Sequence, residues 1–307
     1  MFTEAQNFAI VQTELDAVFY QNFDYDEAYP GIATAQTADL FKPVQTTHAS
    51  YITQTFKGSG LFPKITEVQT VPQSTPHVTN KMTTLVGDFA NGIEISKDLF
   101  DDNMHSVWSQ TVANFARAAR ITQDDNCFKL FRNAFTTTLT ADGDPFIGTH
   151  TLIGGGTISN LVSGPLSPST LYDAIVALRQ QKDQAGLILG NVPSILLVPS
   201  KLFKKAVEIT ESALLADTGN NNINVYRSAY GMKVYTSPYL DAVAGGSDTA
   251  WFLLSRNHNV SRLIRQGVQT ALRDWSQSNN RTYFYQANFR EEAFVTDYSG
   301  AVGSLGT

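Results

Sequence analysis

The side chains best suited to bind a transition metal or attack a substrate are five histidines, His48, His77, His105, His150 and His258, and a single cysteine, Cys127. No two histidines stand in a His-Glu-x-x-His pair, and no second cysteine completes a Cys-x-x-Cys, so the spacing supplies no metal-ligand set. Cys127 and His105 fall on what reads as one long helix, more than about five turns apart, so the thiol has no neighbouring base. Cys127 is expected to pack as a small hydrophobe. Asp142-Gly143-Asp144 resembles the opening of a calcium loop, but Pro145 follows and no glutamate occupies the twelfth position, so a turn is expected. Gly154-Gly155-Gly156 is followed by Thr157 and Ile158 without the lysine of a phosphate-binding loop.

The adjacent acids Asp101-Asp102, Asp124-Asp125 and Glu291-Glu292 diverge in direction instead of converging on a substrate; helix caps and solvated faces are expected of them. Arg262, Arg265, Arg273, Arg281 and Arg290 give the C-terminal segment a basic bias. They could pair with carboxylates of a neighbouring copy or touch nucleic-acid phosphates, and ordinary surface charge fits equally well. The sequence thus offers no catalytic, cofactor-binding or metal residues, and a hydrolase on any α/β unit would lack a nucleophile and base.

Composition points toward assembly. Charged residues make up only 16% of the 307, well under the roughly 25% usual in soluble domains, so uncharged Thr, Asn, Gln and Ser must cover much of the surface. Such side chains are easier to bury between subunits than Lys or Glu, because no ion is desolvated. A net charge of −6 argues against a dedicated nucleic-acid binder. One cysteine forbids an intrachain disulfide, which makes cytosolic synthesis the default. Met1-Phe2-Thr3-Glu4 does not open a signal peptide, and no apolar window reaches the roughly 20 residues of a membrane span.

Among the elements, Phe8, Val11, Leu15, Val18 and Phe19 recur at helical spacing within residues 2–23. From Asp24 to about Val86 that periodicity vanishes, with turn signals at Pro30-Gly31, Gly58-Ser59-Gly60 and Val71-Pro72. So long a stretch is unusual for a loop. It nevertheless carries Phe41, Tyr51, Ile52, Phe56, Leu61, Phe62, Ile65, Val68 and Val71, too apolar for a solvated linker. A hairpin that finds its burial on neighbouring copies is expected, since a lone two-stranded ribbon is marginal in water.

Ile93 and Ile95 alternate with Glu94 and Ser96 as in a strand, and a helix follows from about Met104 to Phe135, roughly 48 Å long at ~1.5 Å per residue. Residues 143–164 are turn-rich. Ser167-Pro168 opens a helix carrying Leu171, Ile175 and Leu178, with Gly186 as its expected stop. Ile195–Val198 reads as a buried strand, Ser200 as the cap of a helix bearing Phe203, Val207 and Leu214, and Met232–Thr236 and Ala250–Leu254 as further strands. Tyr283, Tyr285, Ala287 and Phe289 share one face of a long strand near the C-terminus.

This order of elements resembles the Hong Kong 97 fold of tailed-bacteriophage major capsid proteins. The stretches from Gly92 to Asn103, Asp142 to His150, Ile195 to Pro199 and Val234 to Leu240 are similar to motifs of the group that includes the Mu-like major head subunit. The resemblance runs from about residue 3 to 300. It implies an α+β capsid fold with an N-arm (1–43), an extended loop (44–91), a peripheral domain (92–160 with 258–307) and an inserted axial domain (161–257). It also implies hexamers and pentamers of one chain forming an icosahedral shell. That shell would be assembled in the host bacterial cytoplasm around double-stranded DNA, with a portal and with scaffold or decoration proteins as further partners. Contact with the DNA would be non-specific, along a near-neutral or mildly acidic lining.

Phe41, Tyr51, Phe56, Leu61, Phe62, Arg262 and Arg265 are the expected inter-subunit contacts. Some members of the fold join subunits through a Lys–Asn isopeptide bond, for which Lys57 or Lys64 would be the donor here; no motif supports that chemistry. Another phage structural subunit, of a tail tube or an adhesion module, would share the polar, low-charge composition.

Overall fold

The computed structural model describes residues 4–23, 40–57, 60–67, 69–73, 77–102, 105–153, 155–212, 224–274 and 281–307. Helix α1 (Glu4–Phe23) precedes strands β1 (Lys42–Gln45), β2 (Ser50–Lys57), β3 (His77–Leu85) and β4 (Gly87–Ser96). A short α2 (Lys97–Asp101) leads into α3 (His105–Arg132), then β5 (Thr149–Thr151) and β6 (Thr157–Ser159). Next come α4 (Pro168–Arg179), β7 (Pro193–Val198), α5 (Phe203–Glu211), β8 (Lys233–Thr236) and β9 (Trp251–Ser255). The chain closes with β10 (Val260–Arg273), β11 (Thr282–Val295) and β12 (Ala301–Ser304).

The long helix α3 has 28 residues, about 42 Å at ~1.5 Å each, and stops three residues short of the expected Phe135. Three consecutive β-branched residues, Thr136 to Thr138, follow its end, and their amides all turn back to the Asn133 carbonyl at 3.0 to 3.1 Å. Beside the helix lies a sheet of order β1-β10-β11-β4, in which β10 and β11 form a long antiparallel hairpin and β1 runs parallel to β10. Tyr283, Tyr285, Ala287 and Phe289 are buried on one face of β11 while their alternates are half-exposed, as the period of two requires. Strand β4 starts at Gly87, so residues 87–91, assigned to the extended loop from sequence, pair with β11 instead.

The front of the chain departs from an arm. Leu15 and Phe19 of α1 are fully buried with Trp108, Val112 and Phe115 of α3 and Tyr285 of β11. Phe19 lies 5.8 Å from the Phe115 ring and 6.1 Å from Tyr285, while Asp16 accepts hydrogen bonds from Tyr285 and Thr270 at 2.7 Å. Helix α1 is therefore part of this chain's own core, because its apolar stripe finds a matching groove between α3 and the sheet. Residues 24–39, the remainder of the expected arm before the buried Leu40, lie outside the described residues.

A second sheet, of order β12-β9-β7-β8, is sandwiched between helices. On one face Leu196, Val198, Trp251 and Leu253 meet Leu171, Ile175 and Leu178 of α4 and Ala206 and Ile209 of α5. On the other, Ile195, Leu197, Phe252 and Leu254 meet Phe128 and Phe131 of α3. Strands covered on both sides read as continuous apolar runs, which is why β7 and β9 stand out in sequence. The final strand β12 pairs antiparallel with β9, so residues 301–304 join this sheet instead of the peripheral hairpin with which they were grouped.

Ser167 caps α4 as expected, accepting from the Thr170 amide at 3.2 Å, but the helix ends at Gln180 and Gly186 belongs to a later turn. Ser200 is not a side-chain cap; its own amide donates to Asp241 at 2.8 Å as a short 3-10 turn leads into α5. Leu214 lies outside the described residues.

Candidate assembly surface

Among the described residues, strands β2 and β3 pair only with each other, from Ser50 opposite Leu85 to Lys57 opposite His77. Eight residues of β2 carry the ribbon about 26 Å at ~3.3 Å per residue. The strand alternates: Tyr51, Thr53 and Thr55 are half-buried, whereas Ile52, Gln54 and Phe56 face solvent. With no second layer over that face, Ile52 is 50% and Phe56 62% exposed, and beyond the strand Leu61 and Phe62 reach 83% and 90%. Several large apolar groups along one projecting element mark an interaction surface, unlike a single exposed leucine.

Charge lies deeper in the molecule than expected. Arg262 of β10 grips Glu291 of β11, with Nε to Oε2 at 3.0 Å and a second, shorter contact from Nη2. Gln123 of α3 donates to the same carboxylate oxygen at 3.2 Å, and Arg120 stands 3.6 Å from the buried Asp124. Glu291 and Asp124 are thus not on solvated faces. Burial pushes the Glu291 carboxyl above the ordinary glutamate range, and the Arg262 guanidinium opposes that rise. Cys127, on the same side of α3, is pushed up to about 12 by burial, which keeps it a thiol.

The turn after α3 gathers Asp142, Asp144 and His150, whose ligating atoms all lie within 4.8 Å of one another. Hydrogen bonds already join them: Asp142 Oδ2 to His150 Nδ1 at 2.8 Å, and Asp142 Oδ1 to the Asp144 amide at 3.2 Å and to the Thr140 hydroxyl. Gly143 takes φ 87°, in the left-handed region, and the His150 ring stacks on Tyr298 at 4.3 Å. Burial raises the Asp142 carboxyl, but hydrogen bonds from His150 and Thr140 outweigh it and hold the group below the usual carboxylate range. The arrangement is a locked turn, as the sequence suggested, with His150 as a partner eight residues away that spacing alone did not reveal.

Residues 80–303 match the model of a family described as phage capsid protein, well over half of the chain. The chain belongs to the phage capsid protein family. Three solved structures share its fold. The virus-like particle of Pyrococcus furiosus superposes with TM-score 0.57 at 8% identity, covering 95% of this chain and 98% of that one. The capsid of a native GTA particle gives 0.56 at 15% identity, covering 89% and 90%. A protein of Microbacterium phage Oxtober96 gives 0.55 at 13%, covering 89% and 91%. Among curated proteins no sequence matches. The subunit is a major capsid protein with the Hong Kong 97-type α+β fold, a structural component of the virion shell.

In this capsid protein the residues expected to contact neighbours divide into groups. Phe56, Leu61 and Phe62 are exposed on the ribbon and the loop beyond it. Tyr51 leans on Phe294, ring centroids 5.7 Å apart, and is half-covered. Phe41 is a correction: only 1% exposed, it sits edge-on to Phe128 and Phe131 at 5.8 Å each, so it anchors the ribbon's root inside its own chain. Arg262, its side chain 22% exposed, is already bound to the buried Glu291 of its own chain. Arg290 pairs with Asp88, Arg281 with Asp98 at 3.5 Å, and Arg273 lies over the Phe284 ring at 5.6 Å. Arg265, by contrast, lines an open cavity with His48 and Tyr51 and has no carboxylate partner among the described residues.

A signal for the missed network was present. Glu291 continues the alternating face of Tyr283 to Phe289, and Asp124 precedes Cys127 and Phe131 at helical spacing. Lys64 is exposed, and the side chain of Lys57 lies outside the described residues.

Proposed function

We propose that this capsid protein closes into an icosahedral shell of hexamers and pentamers around the double-stranded DNA of a tailed bacteriophage. In it, the ribbon of residues 50–85 lies across an adjacent copy and buries there the side chains left uncovered in the single chain. The observation that carries the reading is the 62% exposure of Phe56 on a strand with one strand partner among the described residues, together with the 83% and 90% exposure of Leu61 and Phe62 beyond it. A closed shell repeats one interface many times, so modest apolar burial per contact suffices for a stable particle. The group containing the Mu-like head subunit is the proposed subfamily, on the strength of the motif order in the sequence.

The subunit acts in the virion and is built in the host bacterial cytoplasm, with a portal and with scaffold or decoration proteins as further partners. It catalyses no reaction in this reading. Its contact with DNA is weak and non-specific, in keeping with a net charge of −6. Residues 1–43, 44–91, 92–160 with 258–307, and 161–257 remain the proposed functional segments, adjusted by the docking of 4–23 on the long helix and by the pairing of 87–91 and 301–304 described above. Removing residues 48–86 tests the reading: the two sheets and α3 are expected to fold, by circular dichroism, while electron micrographs show no closed particles. Normal shells from that deletion, or tubes or trimers from the intact chain, overturn it.

A further inference from the structure

The sequence holds one asparagine followed directly by glycine, Asn91-Gly92 in β4. Glycine has no side chain to shield its nitrogen, which can therefore reach the carboxamide carbon of the residue before it. The glycine itself has a structural reason: a Cβ on Gly92 would lie 2.3 Å from Cζ of Phe284, whose ring fills that space. Asn91 is exposed, and among the described residues its side chain has one hydrogen bond, accepted by Oδ1 from the Gly92 amide at 2.9 Å.

A strand ordinarily suppresses chemistry at such a pair, because the second amide is tied to the neighbouring strand. Here the register leaves it untied. Among the described residues β4 has β11 as its one strand partner and forms an edge of the sheet. At the end of that pairing the Lys97 amide donates to the Arg281 carbonyl at 3.1 Å, and the amides of an antiparallel strand alternate in direction. The amides of Ile95, Ile93 and Asn91 therefore turn toward β11, whereas that of Gly92 turns to the open edge, where it meets Asn91 Oδ1. No ladder bond has to break for the Gly92 nitrogen to react. Beside Asn91 an open cavity of about 210 Å³, walled in part by the small side chains of Ala118, Ala119 and Thr122, gives water access to the carboxamide.

We propose that Asn91 is a site of spontaneous modification in the folded chain. Hydroxide from solvent removes the Gly92 amide proton, the nitrogen forms a bond to Asn91 Cγ, and the side-chain nitrogen leaves as ammonia, giving a succinimide ring. Water then opens the ring. Cleavage of the new bond between nitrogen and Cγ gives aspartate; cleavage of the original peptide bond gives isoaspartate, with the main chain routed through Cγ. In sum, an amide and a water become a carboxyl and ammonia. Either product adds negative charge to an edge that already bears the exposed Asp88 and Glu94. Isoaspartate also lengthens the backbone by one carbon, which puts the strand beyond it out of step with β11.

The purified full-length protein is held at neutral and at mildly alkaline pH, and its peptides are followed by mass spectrometry, with isoaspartyl methyltransferase labelling to separate the two products. Loss of the amide at Asn91 ahead of every other asparagine is expected, as a mixture of aspartyl and isoaspartyl forms, at a rate that rises with hydroxide. Asn160, buried with its carboxamide nitrogen donating to the Phe146 and Ala301 carbonyls, is the unreactive reference. Asn91→Gln, which would have to close a larger ring, should lose the labelling. An amide at Asn91 that survives in the folded chain and converts only in urea overturns the proposal, because the fold then shields the edge. Conversion to aspartate without isoaspartate overturns it as well, since water would have attacked the carboxamide directly.

Discussion

Two β regions of this subunit obey opposite rules. In the central sheet, every residue of β9 from Trp251 to Ser255 is buried, since α4 and α5 cover one side and α3 the other. In the ribbon, β2 and β3 have the same strand geometry, but among the described residues no layer covers the face of Ile52 and Phe56, which remain in solvent. The difference teaches that apolar content does not locate a core; the layers around a strand do. One region is complete within the chain, and the other, in the function proposed above, is completed by a neighbouring copy.

The contrast can be broken most severely from the buried side. Trp251→Ala removes a fully buried indole whose Nε1 donates to the Gly164 carbonyl at 3.4 Å, and about 3 to 5 kcal/mol of stability should be lost in denaturant unfolding. Arg262→Ala comes next: it leaves the Glu291 carboxylate buried and uncompensated, which should cost on the order of 3 kcal/mol. Because burial holds Glu291 above its unfolded value, that carboxyl favours the folded state most at low pH and opposes it as pH rises. The Arg262→Ala chain should therefore regain part of its lost stability on mild acidification, measured by urea midpoints across pH.

Asp142 has the opposite sign. Its lowered carboxyl contributes stability that is present above roughly pH 4 and is lost as pH falls through the depressed value. Asp142→Asn should cost about 1.5 to 3 kcal/mol at neutral pH and flatten that acid limb, as thermal unfolding from pH 2 to 7 would reveal. The smallest effect on the isolated chain belongs to the ribbon. Phe62→Ser should shift subunit stability by less than about 0.5 kcal/mol while reducing shell yield, read by sedimentation and electron microscopy. A large loss of subunit stability from Phe62→Ser would erase the distinction between the two regions.

Much of this arrangement was legible in the residues. Helical spacing marked α3, alternation marked β11, and continuous apolar runs marked β7 and β9, because each records a local geometry with its own period. The apolar residues scattered through 41–71 also signalled a stretch that needs covering. What periodicity does not carry is the identity of the cover. Phe41 and Phe56 look alike along the chain, yet Phe41 is wedged between Phe128 and Phe131 and Phe56 is bare.

The sequence by itself determined the period, length and polarity of the elements and the absence of recognisable catalytic motifs. Tertiary structure alone decided that α1 docks on its own helix α3, that Arg262 and Glu291 share one buried site, and that β12 closes the central sheet. The reason is physical: a side chain's preference to leave water is a local property, whereas the surface that removes it from water is assembled from residues distant along the chain.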